Sequence, residues 1–390
     1  MLFCSHSAFG QRVYIDDFSA GYGADPKAID LGFNDVYWAT RNVGASGPNG
    51  YGTYFTWSEA STWNSSHNYP NWVGYWRTPT QSEQEALKSL SHDENVTSGS
   101  GVRVKASDAV FIEIPASGYY FYSKVFGTVY YTRIEDGNTS YLWSCTPQND
   151  NDDRAYYLIY NTHTHNITGK VNVIDGAKVS KLPIRPVIDK VTITVTTAGG
   201  NTIQKSYPKG TKIKIYAFMD ECHKVAHWTK SSINDPDSTI TPNNTSGDNG
   251  DIEITIIKDV TYTAYFKKKK YSVSAYIKYG DSDAEPSSQI GDLECGQYAT
   301  ISVPIDNCYV FQGWEGPGIT GRLAAGQNNN GYSCNVDNSV SPTQARLTIP
   351  NIDSNTQLNR DYTAIFSIKT TNIRATTDSN KGWVGLNVWK

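Results

Sequence analysis

The sequence predicts an α+β domain followed by small all-β tandem modules, and three observations predict it. Residues 76–90 hold a well-capped helix, the one convincing helix signal in the chain. From Lys190 onward, short β-type runs follow one another with no helical period. Within that second part Gly210, Asp220, Cys222 and Trp228 recur, in the same order and spacing, as Gly296, Asp306, Cys308 and Trp314. Repetition at a fixed offset is the mark of a modular array.

In Trp76-Arg-Thr-Pro-Thr-Gln-Ser-Glu, Thr80 stands three residues ahead of Glu83. At that spacing the hydroxyl and the carboxylate each take a backbone N–H that a helix start leaves without a partner. Ala86, Leu87 and Leu90 share one face and predict a single buried stripe, with Glu83 and Glu85 as capping or solvent residues. Upstream, residues 27–45 read as two short strands around a turn at 32–35. Residues 61–75 form an irregular stretch with Trp63, Tyr69, Trp72 and Tyr75 among Asn, Ser and Pro. A long ordered loop of that kind is more often functional than incidental. Downstream, strands are expected over 109–115, 140–144, 155–160 and 182–188. Ala116-Ser-Gly-Tyr-Tyr turns the first of them over, and the next two flank a polar loop at 148–154.

Composition bounds the function. With 27 Tyr, 10 Trp and 32 Gly against 2 Met in 390 residues, the chain suits β-rich modules with many turns and amphipathic aromatic surfaces, as in extracellular binding proteins. Its 34 basic and 38 acidic residues are interspersed and sum to −4, so there is no basic stripe for a phosphate backbone and nucleic acid is not an expected partner. The lysines at 267–270 read as solubilising a strand edge or a junction. No apolar run reaches the ~18 residues of a membrane helix. The six cysteines show neither a CxxC pair nor a dense framework, which predicts no zinc site and no disulfide scaffold. The opening Met-Leu-Phe-Cys-Ser-His is too short for a secretory signal, and residues 1–24 are expected to be a poorly determined segment, truncated or mature.

Seven motifs carry a resemblance. Ile29-Asp-Leu-Gly, Trp38-Ala-Thr-Arg-Asn-Val-Gly-Ala, Tyr51-Gly-Thr-Tyr-Phe-Thr-Trp-Ser-Glu, Trp76-Arg-Thr-Pro-Thr, Ile114-Pro-Ala-Ser-Gly-Tyr, Leu142-Trp-Ser-Cys-Thr-Pro and Ile184-Arg-Pro-Val occur in this order. Together they resemble the Fibrobacter succinogenes major paralogous domain, abundant in secreted and surface proteins of Bacteroidetes-type bacteria. The resemblance implies a C-type lectin-like fold over 25–189. Thr78 stands where the family usually has Leu, and Cys145 where it usually has Ser.

The second part closes each copy on Tyr262-Thr-Ala-Tyr-Phe and Tyr362-Thr-Ala-Ile-Phe, and Tyr271-Ser-Val-Ser-Ala is echoed by Thr371-Asn-Ile-Arg-Ala. These offsets are 100 residues rather than 86, so the second copy holds 14 more residues, expected in the Gly/Asn-rich loop after its Trp. The pattern resembles the divergent InlB-type B-repeats of bacterial surface proteins. It implies β-grasp-like modules over 190–268 and 269–368, with 369–390 the truncated start of a third. Such repeats serve as spacers, and Trp228 and Trp314 read as their core plugs.

Catalysis has few footholds, since no GxSxG, HExxH or P-loop is present. His163 and His165 alternate as a metal pair would, but no third ligand is evident and a solvated turn is expected. His223 and His227 are four apart on a strand, where the helical zinc spacing does not apply. Formylglycine-generating enzymes share the C-type lectin-like architecture and a similar Trp-Arg-Leu-Pro-Thr stretch. They need reactive cysteines, and here the domain holds Cys145 alone. Residues Asn149, Asp150, Asn151, Asp152 and Asp153 offer the oxygen ligands that calcium takes. The Glu-Pro-Asn and Trp-Asn-Asp motifs of calcium-dependent sugar binding are missing from the domain, which favours a solvated hairpin tip and no cofactor, with calcium the lesser alternative.

What remains is recognition by surface. Trp63, Tyr69, Trp72 and Tyr75, with Asn149, Asp150, Asn151, Asp152, Asp153 and Arg154, would make a paratope-like face of rigid aromatics and adaptable polar groups; the alternative places half of these aromatics in the core. The expected function is a non-enzymatic, secreted or cell-surface adhesion protein. It would bind a host or environmental protein or glycan and carry that binding domain on a stalk of repeats. A structural stalk without a ligand and a phage receptor-binding component are the alternatives.

Overall fold

A computed structural model describes residues 11–20, 27–65, 72, 74–93, 96, 100–134, 137, 139–148, 155–161, 166–169, 180–220, 222–232, 235–240, 250–350 and 359–370. Most of them lie in strands, with two short helices. The chain divides into one unit of Met1–Phe218 with Val225–Tyr265 and a second of Met219–Lys224 with Phe266–Lys390.

The first unit begins with β1 (Arg12–Ala20), then β2 (Ala28–Asp30) and β3 (Val36–Ala39), which pair antiparallel. Gly32, Asn34 and Asp35 between them take positive φ, the conformation that Gly, Asn and Asp tolerate best. Next come β4 (Tyr54–Phe55), α1 (Trp57–Ser61) and α2 (Gln81–Ala86), the last prolonged by a 3-10 turn at Leu87–Ser89. β5 (Ser91–Asp93), β6 (Gly101–Ser107) and β7 (Val110–Pro115) form one antiparallel sheet, and β8 (Tyr119–Val125) and β9 (Thr128–Ile134) a separate hairpin. β10 (Thr139–Pro147), β11 (Ala155–Asn161) and β12 (Asn166–Gly169) make a further sheet, and β13 (Leu182–Pro183) pairs with β4.

Both helices start on a capping box. Thr80 accepts from the Glu83 N–H while the Glu83 carboxylate accepts from the Thr80 N–H, and Thr56 and Glu59 repeat the arrangement at α1. α1 is a helix the sequence reading passed over, although Thr56-Trp-Ser-Glu has the same spacing. The single apolar stripe expected on α2 is also corrected. Leu87 is buried, but the inward face otherwise carries Glu83 and Gln84. Gln84 Nε2 donates to the carbonyls of Leu142 (3.1 Å) and Trp143 (2.9 Å), which ties the helix to β10 by hydrogen bonds beside the apolar cluster that Leu87 joins.

The run expected as one strand over 182–188 is interrupted, because Pro183 and Pro186 cannot donate to a ladder. Arg185 sits in the gap, fully buried, with Nε on Asn42 Oδ1 (2.8 Å), Nη1 on the Ala39 carbonyl (3.2 Å) and Nη2 on the Glu113 carbonyl (2.6 Å). Desolvation pushes its pKa down to about 9, against the pull of Glu113. One apolar cluster gathers Trp63, Trp72, Trp76 and Trp143, and another Trp38, Leu87, Val102, Ile112 and Leu142.

The rest of the unit comprises β14 (Val187–Thr197), β15 (Thr202–Pro208), β16 (Lys212–Phe218), β17 (His223–Ser232), β18 (Asp235–Ile240), β19 (Gly250–Thr255) and β20 (Val260–Lys268), the last running past its boundary. β14 pairs with β3 through Val187–Asp189, then antiparallel with β15 and parallel with β20. The 189/190 division expected from the sequence therefore falls inside one uninterrupted strand. β1 lies antiparallel on β16, whose other edge takes β19. Val13 and Ile15 are 4% and 2% exposed, so residues 12–20 complete a β module, contrary to the poorly determined segment expected there.

The second unit repeats the pairing scheme. β21 (Lys270–Tyr279) pairs antiparallel with β22 (Glu285–Glu294) and parallel with β28 (Asn359–Ile368), which also takes β24 (Tyr309–Glu315). β23 (Ala299–Pro304) pairs with β27 (Gln344–Ile349), and β25 (Asn328–Asn329) and β26 (Tyr332–Asp337) extend that sheet. These are the relations that β14, β15, β20 and β17, and β16 with β19, show in the first copy. Gly210 and Gly296 both hold a φ of 90°, which a side chain at either position would strain. Trp228 and Trp314 are fully buried. The loop after Trp314 folds back on it, Trp314 and Leu323 exchanging backbone hydrogen bonds of 2.9 Å.

The second unit also holds a disulfide, between Cys222 and Cys295, whose Cα atoms are 5.3 Å apart. The two are 73 residues apart in sequence and no local spacing announces the pair. Of the other described cysteines, Cys145 is half-buried, Cys308 exposed and Cys334 buried, all as thiols.

If β1 is part of the core, Ile15→Ala removes a buried side chain and lowers unfolding free energy by about 2–4 kcal/mol, read from urea denaturation. A change below about 0.5 kcal/mol would show that the strand contributes nothing there.

Candidate functional site

The sequence-predicted face is only partly where it was sought. Trp63 and Trp72 are 4% and 3% exposed. Their rings meet edge-to-face at 5.6 Å, and Trp72 meets Trp76 in the same way at 5.6 Å. The guanidinium of Arg41 lies 5.7 Å from the Trp72 ring. These tryptophans are core, which removes them from a binding face. Tyr75 is exposed, with Lys209 Nζ 5.4 Å from its ring centroid. Tyr69 and the whole loop of Asn149, Asp150, Asn151, Asp152, Asp153 and Arg154 lie outside the described residues, as do His163 and His165. Among the described residues no group of three or more His, Cys, Asp or Glu is placed to hold a metal ion.

A different aromatic surface emerges on the hairpin β8–β9, which the sequence reading treated as the end of a turn. The strands pair in full register from Tyr119↔Ile134 to Val125↔Thr128. The two-residue connection Phe126-Gly127 has φ of 47° and 84°. Positive φ at both central residues matches the right-handed twist of the flanking strands. Gly127 adopts it at no cost, whereas a bulky residue such as Phe126 does so rarely. The Phe126 side chain stands wholly in solvent, Val125, Val129, Tyr130 and Tyr131 near the turn are exposed, and so is Ile134 at the base of the hairpin.

Cross-strand partners share a face, so the pairs Tyr120↔Arg133 and Tyr122↔Tyr131 place four side chains on one side of the hairpin. Tyr51 and Tyr54 extend it. The Arg133 guanidinium lies 5.4 Å from the Tyr51 ring centroid, 5.8 Å from Tyr54 and 6.0 Å from Tyr120, within cation–π range. Tyr54 and Tyr120 meet edge-to-face at 4.9 Å, and Tyr122 and Tyr131 at 6.0 Å. Lys181 Nζ sits 4.4 Å from the Tyr131 ring, while its backbone exchanges two 2.9 Å hydrogen bonds with Tyr120 and anchors the hairpin. Burial raises the Tyr54 pKa, with Arg133 opposing it. The result is a strip of five tyrosines and two cations on a two-stranded support.

Such a strip suits recognition. Tyrosine faces and edges offer apolar contact at low entropic cost, and Arg133 and Lys181 offer charge-assisted hydrogen bonds to carboxylate or hydroxyl oxygen. The alternation Tyr-Tyr-Phe-Tyr, the Phe-Gly turn and Val-Tyr-Tyr-Thr form a hairpin signal that could have located it. Outside the strip, burial raises the thiol pKa of Cys145, and its N–H is held by the Pro79 carbonyl at 2.8 Å. His223 Nδ1 lies 2.6 Å from Asp220 Oδ1, and His227 stacks on Tyr265 at 4.8 Å, so each imidazole has a local partner.

A scan against protein-family models finds no match to this chain, and a search of curated proteins finds none either.

The contrast between the two aromatic groups is measurable. Phe126→Ser leaves unfolding free energy within about 0.5 kcal/mol of the parent, whereas Trp72→Ala costs about 3–5 kcal/mol. Chemical denaturation followed by tryptophan fluorescence reads both, and a reversed order would exchange their roles.

Proposed function

We propose that this chain is a non-enzymatic bacterial surface or secreted protein that binds a protein or glycan ligand through the tyrosine–cation strip on β8–β9. The strip is the observation that carries the reading: five tyrosines and two cations share one face at the rim of a domain whose tryptophans are packed inside. Aromatic and Arg side chains with this disposition are the usual carriers of binding energy at protein surfaces.

Residues 25–189 are proposed as a C-type lectin-like domain akin to the Fibrobacter succinogenes major paralogous domain. In support, its motif residues converge: Trp38, Trp76, Trp143 and Arg185 are all buried, and the first and last strands of the stretch, β2–β3 and the start of β14, lie side by side. The two later modules are proposed as β-grasp-like B-repeats serving as spacers, supported by their shared strand pairing. The Cys222–Cys295 disulfide supports an oxidising, extracellular location. A formylglycine-generating chemistry is disfavoured, since Cys145 has a raised thiol pKa and half-buried surroundings.

The full chain, screened on arrays of glycans and matrix proteins with and without calcium, is expected to capture a defined ligand class. Combining Tyr131→Ala with Arg133→Ala should weaken that capture at least tenfold without loss of folding. Binding that survives the double variant would move the site elsewhere. Silence on every array would favour the ligand-free stalk. Cys145→Ser is expected to change nothing in either assay.

A further inference from the structure

The sheet of β1, β16 and β19 turns one face inward, where Val13, Ile15, Ile213, Ile215, Ala217 and Ile252 are buried. Alternation along each strand puts the intervening side chains on the opposite face, and register lines them up. Tyr14 lies beside Tyr216, their ring centroids 6.4 Å apart, and Arg12 lies beside Phe218. Two residues along a strand span about 6.6 Å, so Tyr216 and Phe218 follow one another along the middle strand with Tyr14 at their flank. Tyr14 is 52% and Phe218 47% exposed. Charge on this face is balanced, with Arg12, Lys212 and Lys214 against Asp16, Asp251 and Glu253. Lys214 is ion-paired with Asp251, and its Nζ lies 5.2 Å from the Tyr216 ring centroid.

The fold does not need these rings. The offset of 86 residues that carries Gly210 to Gly296 carries Tyr216 to Ser302 and Phe218 to Pro304. Both lie on β23, which pairs with β27 as β16 pairs with β19. The same strand pair thus forms with a serine and a proline in place of the two rings. Among the described residues no strand there corresponds to β1, which brings Tyr14.

We propose that the outward face of β1, β16 and β19 is a second binding site, sharing no residue with the β8–β9 strip, and that its ligand is an uncharged polysaccharide. The inference goes beyond the proposed function, in which this module is a spacer, and does not depend on it. Tyr and Phe rings offer flat apolar area to the C–H faces of sugar rings, and rings set along a strand meet successive units of an extended chain. A sugar hydroxyl both donates and accepts. It pairs with guanidinium and ammonium groups, which only donate, and equally with carboxylates, which only accept. Three charges of each sign give a polyanion or a polycation no net attraction. A neutral chain of hydroxyls finds partners of both kinds.

The full chain is run on native gels cast with dextran, galactomannan, xyloglucan or hydroxyethylcellulose, with heparin as the charged control. At least one of the four uncharged polysaccharides is expected to retard it. Combining Tyr14→Thr, Tyr216→Ser and Phe218→Thr should weaken that retardation about tenfold or more, while Tyr131→Ala with Arg133→Ala leaves it unchanged. Retardation by heparin alone, by no polysaccharide, or equally in parent and triple variant overturns the proposal. Loss in the Tyr131/Arg133 variant instead assigns the polysaccharide to the β8–β9 strip and overturns it too. A protein captured on the matrix array through this face, with no polysaccharide retained, overturns the ligand class. Urea denaturation checks that the triple variant folds. If it does not, Tyr14→Thr alone decides, with retardation weakened about threefold, and an unchanged mobility refutes the site.

Discussion

Strand β14 is the constraint on which the first unit depends. Its first three residues pair with β3, and the remainder is paired on both sides in the next module, antiparallel to β15 and parallel to β20. One backbone must thus satisfy two sets of partners without a break, because every buried N–H and carbonyl left unpaired costs about 1–3 kcal/mol. Side chains fix where it enters. Arg77 grips Glu83 with two nitrogens at 2.9 and 2.6 Å and Asp189 with Nε at 3.0 Å, while the backbones of Arg77 and Val187 exchange hydrogen bonds of 2.9 Å. A bidentate guanidinium holds both direction and distance. The helix cap, the strand start and the register of both sheets are therefore one connected arrangement.

That arrangement explains where the aromatics go. Trp63, Trp72, Trp76 and Trp143 fill the space beside β4, α1 and β10, and Trp143 Nε1 finds the Phe55 carbonyl at 2.7 Å. Tyr119 packs on this cluster from the base of the hairpin, while Phe126, Tyr130 and Tyr131 beyond it stay exposed. The hairpin is held at its base, by Tyr120 against Lys181, and reaches outward as a pair of strands without further sheet partners among the described residues. Its exposed rings are accordingly lined up by cross-strand register rather than by packing, which keeps them available to another molecule.

The tandem modules show the same logic in duplicate. A parallel pair at the centre, a buried Trp and an Asp-led turn before the strand that carries it are common to both. The sheet neighbours are what differ. β1, from the far end of the chain, lies on β16, whereas β23 is the terminal strand of its sheet. A module that borrows a strand from residues 12–20 cannot be delimited by reading forward from Lys190.

By itself the sequence determined the local features. The capping box at Thr80, the turn at 32–35 and the strand at 110–115 are set by residues within a few positions of one another, and local chemistry has few solutions. It also determined that the second part is a mostly-β duplication. Only the tertiary structure decided which aromatics face inward: Trp63, amid Ser, Thr and Asn, is buried, whereas Tyr131, amid Val, Tyr and Ile, is exposed. It alone joined β1 to β16 and Cys222 to Cys295, partners about 200 and 73 residues apart. Contacts of that range are selected by the global pairing of strands, and no spacing along the chain encodes them.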